Sequence, residues 1–226
     1  MKRIVIIHTS LVLFDLLGGL FAEHCPGAQV YNIVDDSLLD QVSQAGKVTA
    51  GVQSRMDAYV QQALTLEPSL IFCQCSSVGE AFAQACKRAD GPGIAVPSLQ
   101  IDAPMAQKAA ALCPDGGKIA VVATVSSTIG PSTRLAERMA QKRGKSVTVT
   151  PFLIDGALDI LMKEKDRPKH DRLVLSRVEE ACAANDVVML AQGSMYQISL
   201  QMQNLSKPVL ASPLLGVLAA KEILEK

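Results

Sequence analysis

Two stretches of this chain recur about half a chain length later. Residues 2–10 (KRIVIIHTS) have a counterpart in residues 117–125 (GKIAVVATV), and residues 70–78 (LIFCQCSSV) have one in residues 187–195 (VVMLAQGSM). In each stretch a short apolar run, typical of a buried strand, passes into small residues. The repetition predicts two copies of one unit, and it limits the possible folds more than any other feature.

Strands alternate with helices in both halves, which indicates parallel sheets joined by right-handed crossovers. We therefore predict an α/β protein with two pseudo-symmetric flavodoxin-like lobes and an active site in the cleft between them. The predicted N-terminal lobe is 1–97 plus 207–226, and the C-terminal lobe is 98–206. Predicted strands are 4–7, 29–34, 70–73, 94–96, 118–122, 147–154, 187–190 and 209–210. Predicted helices are 53–65, 78–87, 134–142, 171–185 and 197–203.

Composition excludes several classes of function. Lys and Arg total 22, as do Asp and Glu, and aromatic residues are only 4% of the chain. A nucleic-acid platform of basic and aromatic residues is therefore not expected. The apolar runs are too short for a secretory signal or a membrane span, which predicts a cytoplasmic protein. The six cysteines are expected to be free thiols there, and their spacing predicts no metal site.

The polar residues at the predicted strand ends are the candidates for chemistry. Cys75 stands where a strand passes into a helix, and the helix N-terminus is expected to lower its pKa. Ser76 and Ser77 offer hydroxyls and amides for a carboxylate. The alternative is a small buried cysteine beside a helix cap. From the preceding strand come His8, Thr9 and Ser10, and His8 is either an acid–base group or a hydrogen-bond donor.

The second half offers matching loops with different chemistry. Thr124, Ser126 and Ser127 follow its first strand and form a second candidate anion-binding loop, or alternatively a plain helix cap. Gln192, Gly193 and Ser194 are the counterparts of Cys75, Ser76 and Ser77. A glutamine has no useful pKa, yet it can donate hydrogen bonds to developing negative charge. In these matched loops, therefore, only the first half presents a thiol.

This pattern resembles the aspartate/glutamate racemase superfamily, over essentially the whole chain. Cys75-Ser76-Ser77-Val78-Gly79 fits the family's first reactive loop, and Ala123-Thr124 fits the loop after the second lobe's first strand. The second reactive loop reads Leu190-Ala191-Gln192, so the family's second cysteine is missing. The resemblance implies a cofactor-independent enzyme acting on a small acid. A symmetric two-thiol racemase is disfavoured unless His8 serves as the second proton carrier.

We expect an isomerase in which Cys75 moves a proton beside a carboxylate or carbonyl, with Gln192 and Gly193 stabilising the oxyanion. One alternative is a decarboxylating lyase on the same scaffold. Another is a binding protein that has lost catalysis. Residues 11–17, 48–55 and 158–169 are predicted specificity loops, and the apolar residues 11–14 are a candidate surface for a homo-oligomer.

Overall fold

The strands of this chain are divided between two sheets, each in its own unit. The computed structural model describes residues 1–89, 96–202 and 205–226. One unit comprises 1–103 with 213–226, and the other comprises 104–212. Each contains a four-stranded parallel sheet flanked by helices, which confirms the predicted α/β class with two pseudo-symmetric flavodoxin-like halves.

The two sheets have the same strand order. The first runs β2-β1-β3-β4 and the second β6-β5-β7-β8. Their registers also match, because Ile7 pairs with Cys73 in the first sheet as Val122 pairs with Leu190 in the second. The strands are β1 (Lys2–His8), β2 (Ala28–Val34), β3 (Leu70–Cys73), β4 (Ser98–Gln100), β5 (Lys118–Ala123), β6 (Thr148–Leu153), β7 (Val187–Leu190) and β8 (Val209–Ala211).

Helices connect these strands. They are α1 (Phe14–His24), α2 (Ser37–Ala45), α3 (Ala50–Leu64), α4 (Gly79–Ala89), α5 (Ala103–Leu112), α6 (Ser126–Lys142), α7 (Ala157–Asp159), α8 (Arg167–Ala184), α9 (Tyr196–Gln201) and α10 (Ser212–Leu224). A 3₁₀ turn precedes α4 at Ser76–Val78, and another precedes α9 at Gly193–Met195. A π-helical turn, Ile160–Glu164, follows α7.

Successive residues of β1 and β3 serve opposite faces of the first sheet, as a pleated strand requires. Ile4, Ile6 and Phe72 pack with residues of α1 and α10. Ile7 and Cys73 face the other way, in a core shared with α2, α3 and α4. All four residues of β3 and of β7 are buried, which is why short unbroken apolar runs predicted these central strands correctly.

The three segments predicted as specificity loops are largely helical. Residues 11–17 run into α1, where Gly18 and Gly19 obscure the helical pattern. Residues 48–55 contain the start of α3, and Thr49 caps it by accepting a hydrogen bond from the Val52 N–H. The segment 158–169 contains the π-helical turn and the start of α8. The loop residues Ser126 and Ser127 form the first turn of α6, which continues past Pro131 rather than starting at 134.

The predicted domain limits require correction because of the last strand in each sheet. β4 pairs with β3, and β8 pairs with β7, so the chain passes between units near 103 and 213. The predicted strand 94–96 lies mostly outside the described residues, and β4 begins at Ser98. Residue 203, the predicted end of the helix 197–203, also lies outside them. Within the described residues, α9 ends at Gln201.

Candidate active site

Cys75 lies at the carboxyl end of the first sheet, two residues beyond β3. Its backbone is extended (φ −123°, ψ 123°), and the 3₁₀ turn and α4 follow at once. Its side chain belongs to the core on the α2–α4 face of the sheet, and the residue is 9% exposed. Ser76 and Ser77 are also buried. The strand-to-helix junction predicted for Cys75 is therefore present.

The environment of the Cys75 sulfur combines burial with hydrogen-bond donors. Burial raises the pKa of the thiol, and this effect outweighs the lowering by the Thr9 hydroxyl, by the backbone N–H groups of Ser77 and Val78, and by the Ser77 side chain. The donors expected at a helix start are thus present. The prediction of a lowered pKa is wrong, because desolvation of the thiolate dominates.

The loop after β1 borders the Cys75 loop. The Gln74 N–H donates to the Ile7 carbonyl at 3.2 Å, and Gln74 Nε2 donates to the Ser10 carbonyl at 3.2 Å. Thr9 is fully buried, whereas Ser10 is half-buried. Thr9, Ser10, Cys75, Ser76 and Ser77 are therefore brought together at one edge of one sheet.

His8 is buried on the other face of that sheet. Its ring packs against Phe14, with ring centroids 5.1 Å apart, and its Nε2 lies 2.8 Å from Oδ1 of Asn32. That oxygen is an acceptor, so Nε2 carries the proton and Nδ1 does not. Burial lowers the pKa of His8, and the bond to Asn32 only partly offsets this. The imidazole is therefore neutral near pH 7, and its role as a proton carrier stays a prediction.

In the second unit, Gln192 occupies the position that matches Cys75. Thr124 donates both its backbone N–H and its hydroxyl to Gln192 Oε1, the latter at 3.0 Å, and the Val125 N–H donates to the same oxygen at 3.2 Å. Three donors thus converge on one point at the end of β5, the geometry of an oxyanion-binding nest. The Gln192 Nε2 group makes no hydrogen bond to the described residues.

The remaining predicted residues of the second unit lie in the two turns that follow Val125 and Gln192. Ser126 is exposed and Ser127 is buried, both in the first turn of α6. Gly193 and Ser194 are half-buried in the 3₁₀ turn that follows Gln192. Thr9 and Thr124 occupy matching positions in the two units, but only the Thr124 hydroxyl makes a hydrogen bond, to Gln192 Oε1. The buried Thr9 hydroxyl has no hydrogen-bond partner among the described residues, although it acts to lower the pKa of Cys75.

Sequence reasoning missed a polar network beside β1. The Asp35 carboxylate accepts hydrogen bonds from Arg55 Nη1 and Tyr59 Oη, both at 2.7 Å, and from the Ser37 hydroxyl at 2.6 Å. The Asp35 N–H donates to the His8 carbonyl at 3.0 Å, which joins the network to the end of β1. The Asp-Asp-Ser sequence before α2 was the available signal, since short polar residues favour helix starts.

Among the described residues, no group of three or more His, Cys, Asp or Glu side chains is arranged to hold a metal ion. The polar groups at the strand ends are hydroxyls, backbone amides and one thiol in the first unit, and hydroxyls, backbone amides and a glutamine in the second. Hydroxyls and amides are suited to holding carboxylate oxygens, and a thiol can move a proton.

The fold has two units, and each contains a four-stranded parallel sheet of the same strand order, with polar loops after its first and third strands. Glutamate, aspartate and allantoin racemases share this class of fold. A glutamate racemase isoform from Bacillus anthracis superposes with a TM-score of 0.71 at 13% identity, covering 99% of this chain and 82% of that one. An aspartate racemase from Picrophilus torridus superposes with a TM-score of 0.67 at 13% identity, covering 100% of this chain and 95% of that one.

An allantoin racemase from Klebsiella pneumoniae matches with a TM-score of 0.65 at 16% identity, covering 100% of this chain and 88% of that one. No family model and no curated protein matches the sequence. The resemblance to the aspartate/glutamate racemase superfamily is thus confirmed in the fold. None of the described helices has the length and apolar character needed to cross a membrane.

Proposed function

We propose that this protein is a cofactor-independent isomerase that moves a proton beside the carboxylate or carbonyl of a small acid, with Cys75 as the acid–base group. The observation that carries the proposal is the Cys75 thiol at the carboxyl edge of a sheet, set against the Thr9 hydroxyl and the first amides of a helix. The racemase fold supports the same class of chemistry.

The proton transfer can be written without a cofactor. The Cys75 thiolate takes the proton from the carbon beside the carboxylate or carbonyl, and the electron pair of the broken C–H bond moves into that group to give an enediolate or enolate. The thiol then returns the proton, to the same carbon or to another carbon of the delocalised anion. Hydroxyl and amide donors are worth most at the stage when oxygen carries the charge.

We assign these donor roles within each unit. In the first unit they are the hydroxyls and amides of Thr9, Ser10, Ser76 and Ser77. In the second they are Thr124, Ser126, Ser127, Gln192, Gly193 and Ser194. The amide oxygen of Gln192 already accepts three hydrogen bonds, so Gln192 contributes through Nε2. Because Gln192 has no titratable group, a symmetric two-thiol racemisation is not proposed.

The test is exchange of the substrate α-proton in heavy water, followed by proton NMR. The panel comprises 2-amino, 2-hydroxy and 2-aryl carboxylic acids, unsaturated dicarboxylic acids and hydantoins. We expect exchange or isomerisation of at least one of these classes, and we expect Cys75→Ser to reduce it by about 10²–10⁴-fold, the usual contribution of a positioned acid–base group. Cys182→Ser is the matched control, since Cys182 is a half-buried cysteine of the other unit. Wild-type rates in Cys75→Ser would refute the assignment, and binding without exchange would favour the inactive binding protein.

A decarboxylating lyase is the second candidate, and one observation favours it. Burial raises the pKa of Cys75, so the resting thiol is protonated and suited to protonating an enediolate formed by loss of carbon dioxide. The pH dependence separates the two reactions. An isomerase that starts from the thiolate gains activity as pH rises towards the Cys75 pKa, whereas a lyase that needs the thiol is most active below it. Release of carbon dioxide from 2,2-disubstituted malonates would identify the lyase directly.

A further inference from the structure

Gln100 places a side-chain amide beside the loop that carries Cys75. It is the last residue of β4 and pairs in register with Cys73, two residues before Cys75. The Ile101 N–H donates to the Cys73 carbonyl at 2.9 Å, which fixes the end of β4 against the end of β3. Gln100 thus extends the carboxyl edge of the first sheet by one further polar residue.

Gly79 makes room for this amide. Gly79 is the first residue of α4, directly after the 3₁₀ turn. A Cβ atom at position 79 would lie 1.9 Å from Nε2 and 2.2 Å from Cδ of Gln100. Any residue other than glycine would therefore overlap the amide and force the glutamine to move. Glycine is a poor helix former, so its presence here is explained by the side chain that it admits.

The Gln100 amide is half-buried, and within the described residues neither its oxygen nor its nitrogen makes a hydrogen bond. An amide that is partly removed from water and makes no hydrogen bond carries a desolvation cost that a ligand can recover. Its neighbours at this edge, Ser76 and Ser77, belong to the site already proposed.

We propose that Gln100 is a specificity-determining residue that donates an amide hydrogen bond to the carboxylate of the acid bound beside Cys75. This inference rests on the proposed function, because it assumes that Cys75 meets the substrate. A neutral amide favours an anionic oxygen without adding charge of its own. The residue should therefore distinguish acids from neutral molecules of equal size.

Two alkylating reagents test this directly. Iodoacetate carries a carboxylate and iodoacetamide a neutral amide, while both deliver the same electrophilic carbon to a thiolate. The folded full-length protein is alkylated with each reagent and then digested, and peptide mass spectrometry gives the rate of modification of Cys75. The ratio of the iodoacetate rate to the iodoacetamide rate is compared with the same ratio for free glutathione. We expect the wild-type ratio to exceed the glutathione ratio.

The Gln100→Leu variant should lower that ratio by about tenfold, the effect of one hydrogen bond to a charged group, with little change in the iodoacetamide rate. Gly79→Ala, which displaces the amide without deleting it, should act in the same direction. Gln197→Leu, which removes an exposed glutamine of the other unit, should leave the ratio unchanged. A ratio preserved in Gln100→Leu would overturn the inference.

A second measurement is independent of Cys75 reactivity. The melting temperature of wild type and Gln100→Leu is recorded with increasing concentrations of the acids and of their neutral amides. We expect an acid-specific rise that Gln100→Leu weakens, and its absence from wild type would overturn the inference. If iodoacetamide fails to modify Cys75 at all, the proposed catalytic role fails by itself, and the melting data still decide whether Gln100 recognises a carboxylate.

Discussion

Thr124 and Gln192, which are 68 positions apart, are joined by two hydrogen bonds to a single oxygen atom. The backbone N–H and the hydroxyl of Thr124 both donate to Gln192 Oε1. The amide oxygen thus occupies the nest of donors at the end of β5. This contact connects the loops after β5 and β7. It occupies the oxygen of the Gln192 amide and leaves the Nε2 group available as a hydrogen-bond donor.

Replacing Gln192 by leucine should destabilise the protein. The N–H groups of Thr124 and Val125 would lose their acceptor, and unsatisfied buried donors cost about 1–3 kcal/mol. We expect the free energy of unfolding in urea to fall by that amount. Gln192→Glu supplies an acceptor of similar shape and serves as the control. Equal stability of Gln192→Leu and wild type would show that water satisfies the nest without cost.

The hydroxyl of Thr9 should limit the rise that burial causes in the pKa of Cys75. It lowers the pKa of that thiol, so Thr9→Val should raise the pKa further, whereas Thr9→Ser keeps the hydroxyl. The pH dependence of iodoacetamide modification at Cys75 measures this. We expect the profile of Thr9→Val to move to higher pH and that of Thr9→Ser to stay close to wild type. Coinciding valine and wild-type profiles would exclude the Thr9 contact as a determinant.

Burial of His8 should make the fold sensitive to mild acid. Its folded pKa lies below the ordinary value of 6.5, so below about pH 6.5 the unfolded chain binds a proton that the folded protein does not. Stability should therefore fall as the pH drops from 7.5 to 5. His8→Gln should lose this part of the pH dependence, as measured by urea unfolding at each pH. An unchanged slope in His8→Gln would mean that His8 accepts a proton without loss of packing.

Asp35 should make stability depend on pH in a lower range than His8 does. The folded protein favours the charged form of Asp35, whereas it favours the neutral form of His8. Burial raises its pKa, but the hydrogen bonds from Ser37 and Tyr59 and the charge of Arg55 outweigh this, so its folded pKa lies below the usual value. A carboxyl with a depressed pKa contributes stability above its unfolded pKa and loses it as pH falls through the folded pKa.

Asp35→Asn is the variant that tests this. It should be less stable than wild type at neutral pH, and the difference should shrink in acid, below about pH 4. Urea unfolding across this range measures the difference. Asp36→Asn, at the adjacent position before α2, is the matched control. A difference that stays constant with pH would show that shape, rather than charge, is what Asp35 supplies.

The internal repeat and the short apolar runs were sufficient to predict the two parallel sheets. A strand buried on both faces must be apolar throughout, and the runs at β1, β3, β5 and β7 have that composition. The same repeat predicted that Cys75 and Gln192 stand at equivalent positions. The helices α1 and α2 were missed, because Gly18 and Gly19 weaken the helical pattern of α1 and the short α2 segment was not recognised.

The sequence by itself determined the class of fold and the loops for which we propose the chemistry, because strand periodicity and the change from apolar to polar residues are local properties of the chain. Tertiary structure alone decided that burial outweighs the donors around Cys75, that the oxygen of Gln192 fills the Thr124 nest, and that Gln100 lies over Gly79. Desolvation and hydrogen bonding depend on the atoms that surround a group. Those atoms come from residues far apart in the chain, whose approach no local pattern encodes.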